Sequence, residues 1–185
     1  MTSLPQKSPI KAILLATLIA GILDASGAMI HFKINVPDAN PLLIWRSVAG
    51  GALGDTARSG GLFPWVIVGI LFHFLIVFLF ASFFSFIYPK IKALQKNSIV
   101  TGLLYGIFIW VVMNFLVLPL SNIKSQNKMW AIVNTNGKLH AVFQGNSNIK
   151  QMIIGIIIIM FCVGLSISLI IGRYYSRKRV ESLQK

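Results

Sequence analysis

The segment WVIVGILFHFLIVFLFASFFSFIY, residues Trp65–Tyr88, contains no Asp, Glu, Lys or Arg. About 20 consecutive apolar residues are enough for a helix to cross the hydrocarbon core of a bilayer. Three further segments of this kind occur, so the predicted spans are residues 10–32, 65–88, 99–120 and 152–172. The sequence therefore predicts an all-α, polytopic membrane protein in which residues 1–185 form a single domain of four transmembrane helices.

The composition supports the same class. A chain with 56% hydrophobic residues, 11% charged residues and a mean hydropathy of +0.77 is neither a soluble globular domain nor a disordered polymer. The net charge of +13 does not indicate a nucleic-acid partner, because the basic residues separate the apolar segments instead of sharing a solvated face. The single cysteine, Cys162, lies in an apolar segment and excludes an intramolecular disulfide and a Cys-based metal site.

The first span has an alternative interpretation as a cleaved signal peptide. Lys7 and Lys11 precede its apolar run, and the small residues at 25–27 resemble a cleavage site. Asp24 beside that site and an apolar stretch of full spanning length favour a retained transmembrane helix.

The distribution of basic residues predicts the orientation in a bacterial inner membrane. Of the 17 Lys and Arg residues, ten lie on the side that holds both termini and the short connection between spans two and three. Clusters at residues 89–96 and 173–179 adjoin span ends, where the positive-inside rule has most force. Both termini are therefore predicted to be cytoplasmic, and residues 33–64 and 121–151 form the outer connections.

This orientation predicts the behaviour of reporter fusions. A reporter fused after Lys185 is expected to be active in the cytoplasm, and one inserted at Asn136 is expected to be active outside, because these residues lie on opposite sides of the fourth span. Fluorescent-protein and alkaline-phosphatase fusions measure the two locations. The opposite pattern would overturn the orientation.

The two outer connections are predicted to contain structure of different kinds. Residues 40–46 open with Asn-Pro and precede several glycines, which predicts a short interfacial or re-entrant helix. In the second connection an Asn-Gly pair at 136–137 separates the apolar runs 130–133 and 139–143, which predicts a β-hairpin. A lone hairpin is marginally stable in water, so this one is expected to pack on the bundle or on a partner.

Small and polar residues follow one another at helical spacing inside the spans. Those that share one face of the first span are Thr17, Gly21, Asp24, Ala28 and His31. The corresponding small residues of spans three and four are Gly102, Gly106, Gly164, Ser168 and Gly172. Because small residues let helix backbones approach closely in lipid, both sets predict helix–helix contacts.

Three polar side chains, Asp24, His73 and Asn114, are predicted to form a cluster in the outer half of the membrane. A carboxyl at membrane depth costs about 2.5 to 3.5 kcal/mol, so it needs a partner. At 1.5 Å per residue the three residues lie roughly 10, 12 and 9 Å from the outer ends of their spans. Asp24 can accept a hydrogen bond from either of the others or share a proton with His73. His31 and Trp110 are accessory candidates.

The cluster has three interpretations: hydrogen bonds that hold the bundle together, a proton or solute site, and catalysis. A bis-His haem between His31 and His73 is not expected, because these residues differ in depth by roughly 10 Å. Zinc is not expected either, since no ligand pair has the i, i+4 spacing of a zinc motif. Nucleotide-binding and hydrolase motifs do not occur in the sequence. The chain is therefore predicted to need no cofactor and no metal, and enzymatic activity is not indicated.

A resemblance to known sequences extends over about two thirds of the chain. Residues 69–91, 102–106 and 113–121, together with Gly21-Ile-Leu-Asp24 and the small-residue run 47–61, resemble a group of small bacterial inner-membrane proteins. The resemblance implies four spans and no assigned activity. Residues 121–151, which hold the predicted hairpin, are not part of it.

No motif names a reaction or a substrate, so the function is predicted at the level of class. The leading hypothesis is a non-enzymatic membrane component that acts in the lipid bilayer through assembly, either with further copies of itself or with another membrane protein. The rival is a small proton-linked transporter or permeation subunit that uses the polar cluster, and a membrane-embedded enzyme is the third. A water-accessible cavity that reaches Asp24 would distinguish the rival from the leading hypothesis.

Overall fold

The computed structural model describes residues 9–57, 61–122, 130–135, 138–143 and 149–183. Besides the short 3₁₀-helices Gly54–Ala57 and Lys92–Gln95, five longer helices occur in these ranges. They are α1 (Ile10–Asn35), α2 (Leu43–Leu53), α3 (Leu62–Ile87), α4 (Ser98–Leu120) and α5, which comprises Ile149–Ile158, Ile159–Gly164 and Leu165–Leu183. Within α4 the segment Met113–Val117 is π-helical, as is Ile159–Gly164 within α5.

Helices α1, α3, α4 and α5 are long and apolar enough to cross a membrane, with mean hydropathies of 2.0, 2.7, 2.2 and 2.9. The shortest of them has 23 residues, which corresponds to about 35 Å, more than the hydrocarbon thickness of about 30 Å. The four predicted spans are therefore confirmed as four helices. The helices extend beyond the predicted limits, since α1 continues to Asn35 and α5 begins at Ile149.

Alternating chain direction gives the bundle two distinct ends. The end that carries α2, hereafter the loop side, also holds Asn35 and Gln151, whose side chains are joined by a hydrogen bond of 3.3 Å. At the other end, the terminal side, Asn97 caps α4 by accepting from the backbone N–H groups of Ile99 and Val100 at 2.9 and 3.2 Å. This cap satisfies N–H groups that have no partner within the helix, and it starts α4 antiparallel to α3.

The core of the bundle lies between α1, α3, α4 and α5. Its fully buried members combine small and large side chains: Ala16, Ala20, Ala81, Phe84, Ile167 and Ile171. Large apolar side chains on the opposite faces are exposed, including Leu71 and Leu104. Such an outer surface is stable only when it faces lipid, so the burial pattern agrees with the multi-pass class.

The contact between α4 and α5 depends on glycine. A Cβ atom at Gly102 would lie 2.7 Å from Cα of Leu165, and one at Gly106 would meet the backbone of Met160. A Cβ at Gly164 would meet the carbonyl of Gly102 and the backbone of Gly106. The predicted packing role of these three glycines is therefore confirmed, because the two backbones occupy the space where side chains would stand.

Several hydrogen bonds between the helices end on backbone carbonyls. The Tyr105 hydroxyl donates to the Phe80 carbonyl at 2.7 Å, and the Ser168 hydroxyl donates to the Ser98 carbonyl at 2.8 Å. The Tyr175 hydroxyl donates to the Ser85 carbonyl at 3.0 Å. A carbonyl has two lone pairs, so it can accept these bonds in addition to its helical one.

Helix α2 is held on the loop side by α3 and by the end of α4. A Cβ at Gly69 of α3 would meet the backbone carbonyl of Trp45, so α2 rests directly on that glycine. The backbone N–H of Asn122 donates to the Gly51 carbonyl at 2.8 Å. The helix predicted here is present, and its insertion into the membrane stays a prediction.

Two short strands, β1 (Trp130–Thr135) and β2 (Lys138–Phe143), pair antiparallel with Trp130 opposite Phe143 and Thr135 opposite Lys138. The backbone of β1 lies beside the end of α4 at residues 118–120. The Asn-Gly pair at 136–137, on which the hairpin prediction rests, lies outside the described residues. The hairpin and its docking stay predictions.

Candidate functional site

A cavity of about 240 Å³ lies between the helices on the loop side. All five helices contribute to its lining, and Ser121 adds to it just after the end of α4. The helical lining residues are Asp24 of α1, Val48, Gly51 and Ala52 of α2, Phe72, His73, Ile76, Val77 and Phe80 of α3, Ile109, Met113, Val117 and Leu118 of α4, and Ile159 and Val163 of α5. Most of these side chains are apolar. Among the described residues of the lining, only Asp24 and His73 are ionisable.

Asp24 and His73 face the cavity from opposite helices at matching depth. Each lies eleven residues from the loop-side end of its helix, Asn35 and Leu62 respectively. This separation corresponds to about 16 Å along the helix axis. The structure therefore brings two of the three predicted cluster residues to one cavity.

The Asp24 carboxyl is half-buried, and most of the side chains around its cavity are apolar. Among the described residues, none donates a hydrogen bond to it. A polar group at this depth without a donor is costly, so water, a proton or a ligand in the cavity would supply the missing interaction.

His73 is anchored by the backbone of α1. Its Nε2 lies 3.0 Å from the Gly21 carbonyl oxygen, so Nε2 carries the proton and donates. The ring makes edge contacts with Trp45 at 5.3 Å and 69° and with Phe74 at 5.4 Å and 82°. These contacts fix the imidazole plane, because edge-to-face arrangements of this kind are favoured between aromatic rings.

Asn114 does not belong to the cavity lining. Its side-chain amide donates to the Trp110 carbonyl of its own helix at 2.9 Å, at the start of the π-helical segment. The residues that face the cavity here are Met113 and Val117, which lie one helical turn apart. The third predicted member of the cluster therefore stands outside this lining, with its amide bonded within its own helix.

The accessory candidates also lie outside the lining. Trp110 is buried, and its ring packs near Gly155 of α5, whose Cβ would lie 3.9 Å from the indole nitrogen. His31 stands near the loop-side end of α1, where the Asn35 amide nitrogen lies 3.3 Å from the His31 Nδ1. His31 therefore belongs to an end-of-helix network with Asn35 and Gln151.

Three site features were missed by sequence reasoning. Trp45 on α2 packs against His73, the Gly21 carbonyl holds the imidazole, and Ser121 lies at the loop-side end of the lining. A carbonyl partner has no sequence signal, because every residue carries one. The aromatic residue in the predicted short helix was a usable signal for Trp45, since indole rings seldom stay exposed next to a bundle.

Metal binding finds no support in the part of the chain that the structure describes. There, no group of three His, Cys, Asp or Glu residues is placed to hold an ion.

Comparison with protein-family models, curated proteins and solved structures finds no match to this chain. The four long apolar helices define the class as a multi-pass helical membrane protein, and the cavity with Asp24 and His73 is its candidate site.

Proposed function

We propose that the protein is a small-solute carrier or permeation subunit in a bacterial inner membrane, linked to protons through Asp24. The supporting observation is the cavity of about 240 Å³, whose lining includes Asp24. Polar residues inside membrane helices are rare and mark substrate or proton pathways when they face a cavity. A purely structural Asp24 would instead be closed in by protein groups that donate to it.

The cavity is closed toward the termini. One turn beyond its lining residues Phe80, Ile109 and Val163 lie Phe84, Tyr105 and Ile167, which are buried in the core. Toward the loop side the lining continues to Ser121 at the end of α4. In this proposal the cavity opens on the loop side alone, as a carrier does in one of its alternating states, in which packed helices seal the other face of the site.

The position of α2 supports the same proposal. Trp45 lies against His73, which is well inside α3, so α2 reaches beside the loop-side half of the bundle. In this proposal α2 is a re-entrant helix whose non-spanning backbone lines a cavity, the setting in which such segments occur in membranes. The proposal includes assembly with further copies of the chain or with a membrane partner. Such assembly would lengthen the solute pathway that starts at this small cavity.

Cysteine labelling tests whether water reaches the cavity. In a Cys162→Ser background, Val117→Cys places a thiol in the lining, and Leu116→Cys places one on the adjacent lipid-facing position, where Leu116 is 54% exposed. Since thiol reagents need the thiolate and lipid suppresses ionisation, a charged methanethiosulfonate should modify the Val117→Cys variant at least ~10-fold faster. Mass spectrometry of the labelled protein in nanodiscs measures both rates.

The paired positions make the outcome interpretable, because they share a helix and differ in depth by a single residue. Equal rates would show that the cavity holds no continuous water, and the carrier proposal would then fail. A fast reaction with the lining thiol, blocked at the lipid-facing one, supports a water-filled path toward Asp24.

A further inference from the structure

We propose that the solute is a small organic amine in its ammonium form, with an apolar body. This inference rests on the proposed function and names the substrate class of the same cavity. It is carried by the juxtaposition of one carboxyl that lacks a donor with walls that are almost entirely apolar and partly aromatic.

The hydrogen-bonding state of His73 leaves Asp24 without a donor. The imidazole has two nitrogens, and in the neutral ring only one of them carries a proton. Nε2 uses that proton on the Gly21 carbonyl at 3.0 Å, so the neutral ring has none to give to Asp24. Among the described residues, no other side chain donates to this carboxyl. An ammonium group supplies both the missing donors and the opposite charge.

The lining discriminates against other solute classes. Its described residues include no Lys or Arg, and His73 alone among them can carry a positive charge. With His73 in the neutral form that donates its Nε2 proton to Gly21, phosphates and carboxylates would meet the negative Asp24 without a compensating cation. Sugars and amino acids would leave several polar groups against apolar walls, and each unpaired group is costly.

The size and walls of the cavity indicate the apolar body. A cavity of about 150 Å³ can hold benzene, so the larger volume of about 240 Å³ has room for an aryl ring with a short aminoalkyl arm. Phe72 and Phe80 contribute aromatic surface to the lining. Aromatic faces also attract ammonium groups, which adds to the interaction with Asp24.

The test compares two probes with the same skeleton, phenethylamine and 2-phenylethanol. Tritiated phenethylamine is expected to bind saturably to the purified protein in nanodiscs. The neutral alcohol should compete at least ~10-fold less well, because it cannot form a charge-assisted hydrogen bond, a difference of about 1.4 kcal/mol or more. Asp24→Asn should weaken amine binding at least as much, and Asp38→Asn, which removes the same charge from an exposed position, should not.

A second measurement keeps the test independent of the folding of the Asp24 variant. With Asp24 intact, phenethylamine should slow the labelling of the Val117→Cys variant at least ~3-fold at saturation, while the alcohol at the same concentration should not. Equal competition by the alcohol, or an equal loss in the Asp38→Asn variant, would overturn the amine assignment. If the lining thiol still reacts rapidly in that case, the cavity and the carrier proposal stand and only the substrate class fails.

Discussion

Replacing Gly106 with leucine is expected to prevent α4 and α5 from packing and to abolish the native fold. A Cβ atom at this position would meet the backbone of Met160, and a backbone cannot move aside as the end of a side chain can. Overpacking in cores ordinarily costs about 1 to 3 kcal/mol, and we expect a larger cost here because the obstacle is the neighbouring helix itself. Thermal unfolding and size-exclusion chromatography in detergent measure the loss.

Gly155→Ala provides the matched control on α5. A Cβ there would meet only the indole nitrogen of Trp110 at 3.9 Å, which is an ordinary contact. Alanine is favoured over glycine inside a helix by roughly 0.5 to 1 kcal/mol, so this variant should keep or slightly raise the unfolding temperature. A Gly106→Leu protein with native stability would show that α4 and α5 do not cross at Gly106.

Gly69→Leu is expected to displace α2 while leaving the four long helices in place. The carbonyl of Trp45 occupies the space beside Gly69, so a side chain there would push α2 away from α3. Trp45 would then leave His73, and the cavity would lose the part of its lining that Val48, Gly51 and Ala52 supply. Displacement of α2 would expose its buried residues to solvent without unfolding the rest of the protein.

The displacement can be measured with a cysteine at Ala49, which is 0% exposed on α2. In the Cys162→Ser background, adding Gly69→Leu should raise the labelling rate of Ala49→Cys at least ~10-fold, since the thiol becomes accessible. Gly61→Ala is the control, because a Cβ at Gly61 would meet only the Pro64 ring at 3.9 Å. An unchanged labelling rate in the Gly69→Leu protein would contradict the seating of α2 on α3.

The spans and their close contacts could be predicted from the sequence because both depend on residues that are near one another in the chain. In lipid the backbone must satisfy its own hydrogen bonds, so an apolar segment of sufficient length forms a helix whatever surrounds it. The small residues that let helices approach are likewise visible as a spacing, and Gly102, Gly106 and Gly164 lie where that spacing predicted contact. Asp24 was identified as the unusual residue because an acid in an apolar span is costly anywhere in the bundle.

Other parts of the site depended on rotation about the helix axes, which spacing alone does not determine. The prediction of a shared depth for Asp24, His73 and Asn114 assumed a regular helix throughout span three. The structure has a π-helical segment at Met113–Val117, in which the Asn114 amide donates to the Trp110 carbonyl instead of reaching across the bundle. A π-helical turn changes the rotation of the residues around it, so depth was predictable and direction was not.

The sequence by itself determined the four helices, the close approach of α4 to α5 and the presence of a carboxyl that needs a partner. Only the tertiary structure decided which groups meet that carboxyl. His73 donates its Nε2 proton to the Gly21 carbonyl, and Trp45 of α2 packs against the imidazole. The five helices enclose the cavity between them. The physical reason is that every residue has a backbone carbonyl and a cavity contains no residue at all. Neither the partner of a given carbonyl nor the position of a cavity can therefore be predicted from residue types before the helices are packed.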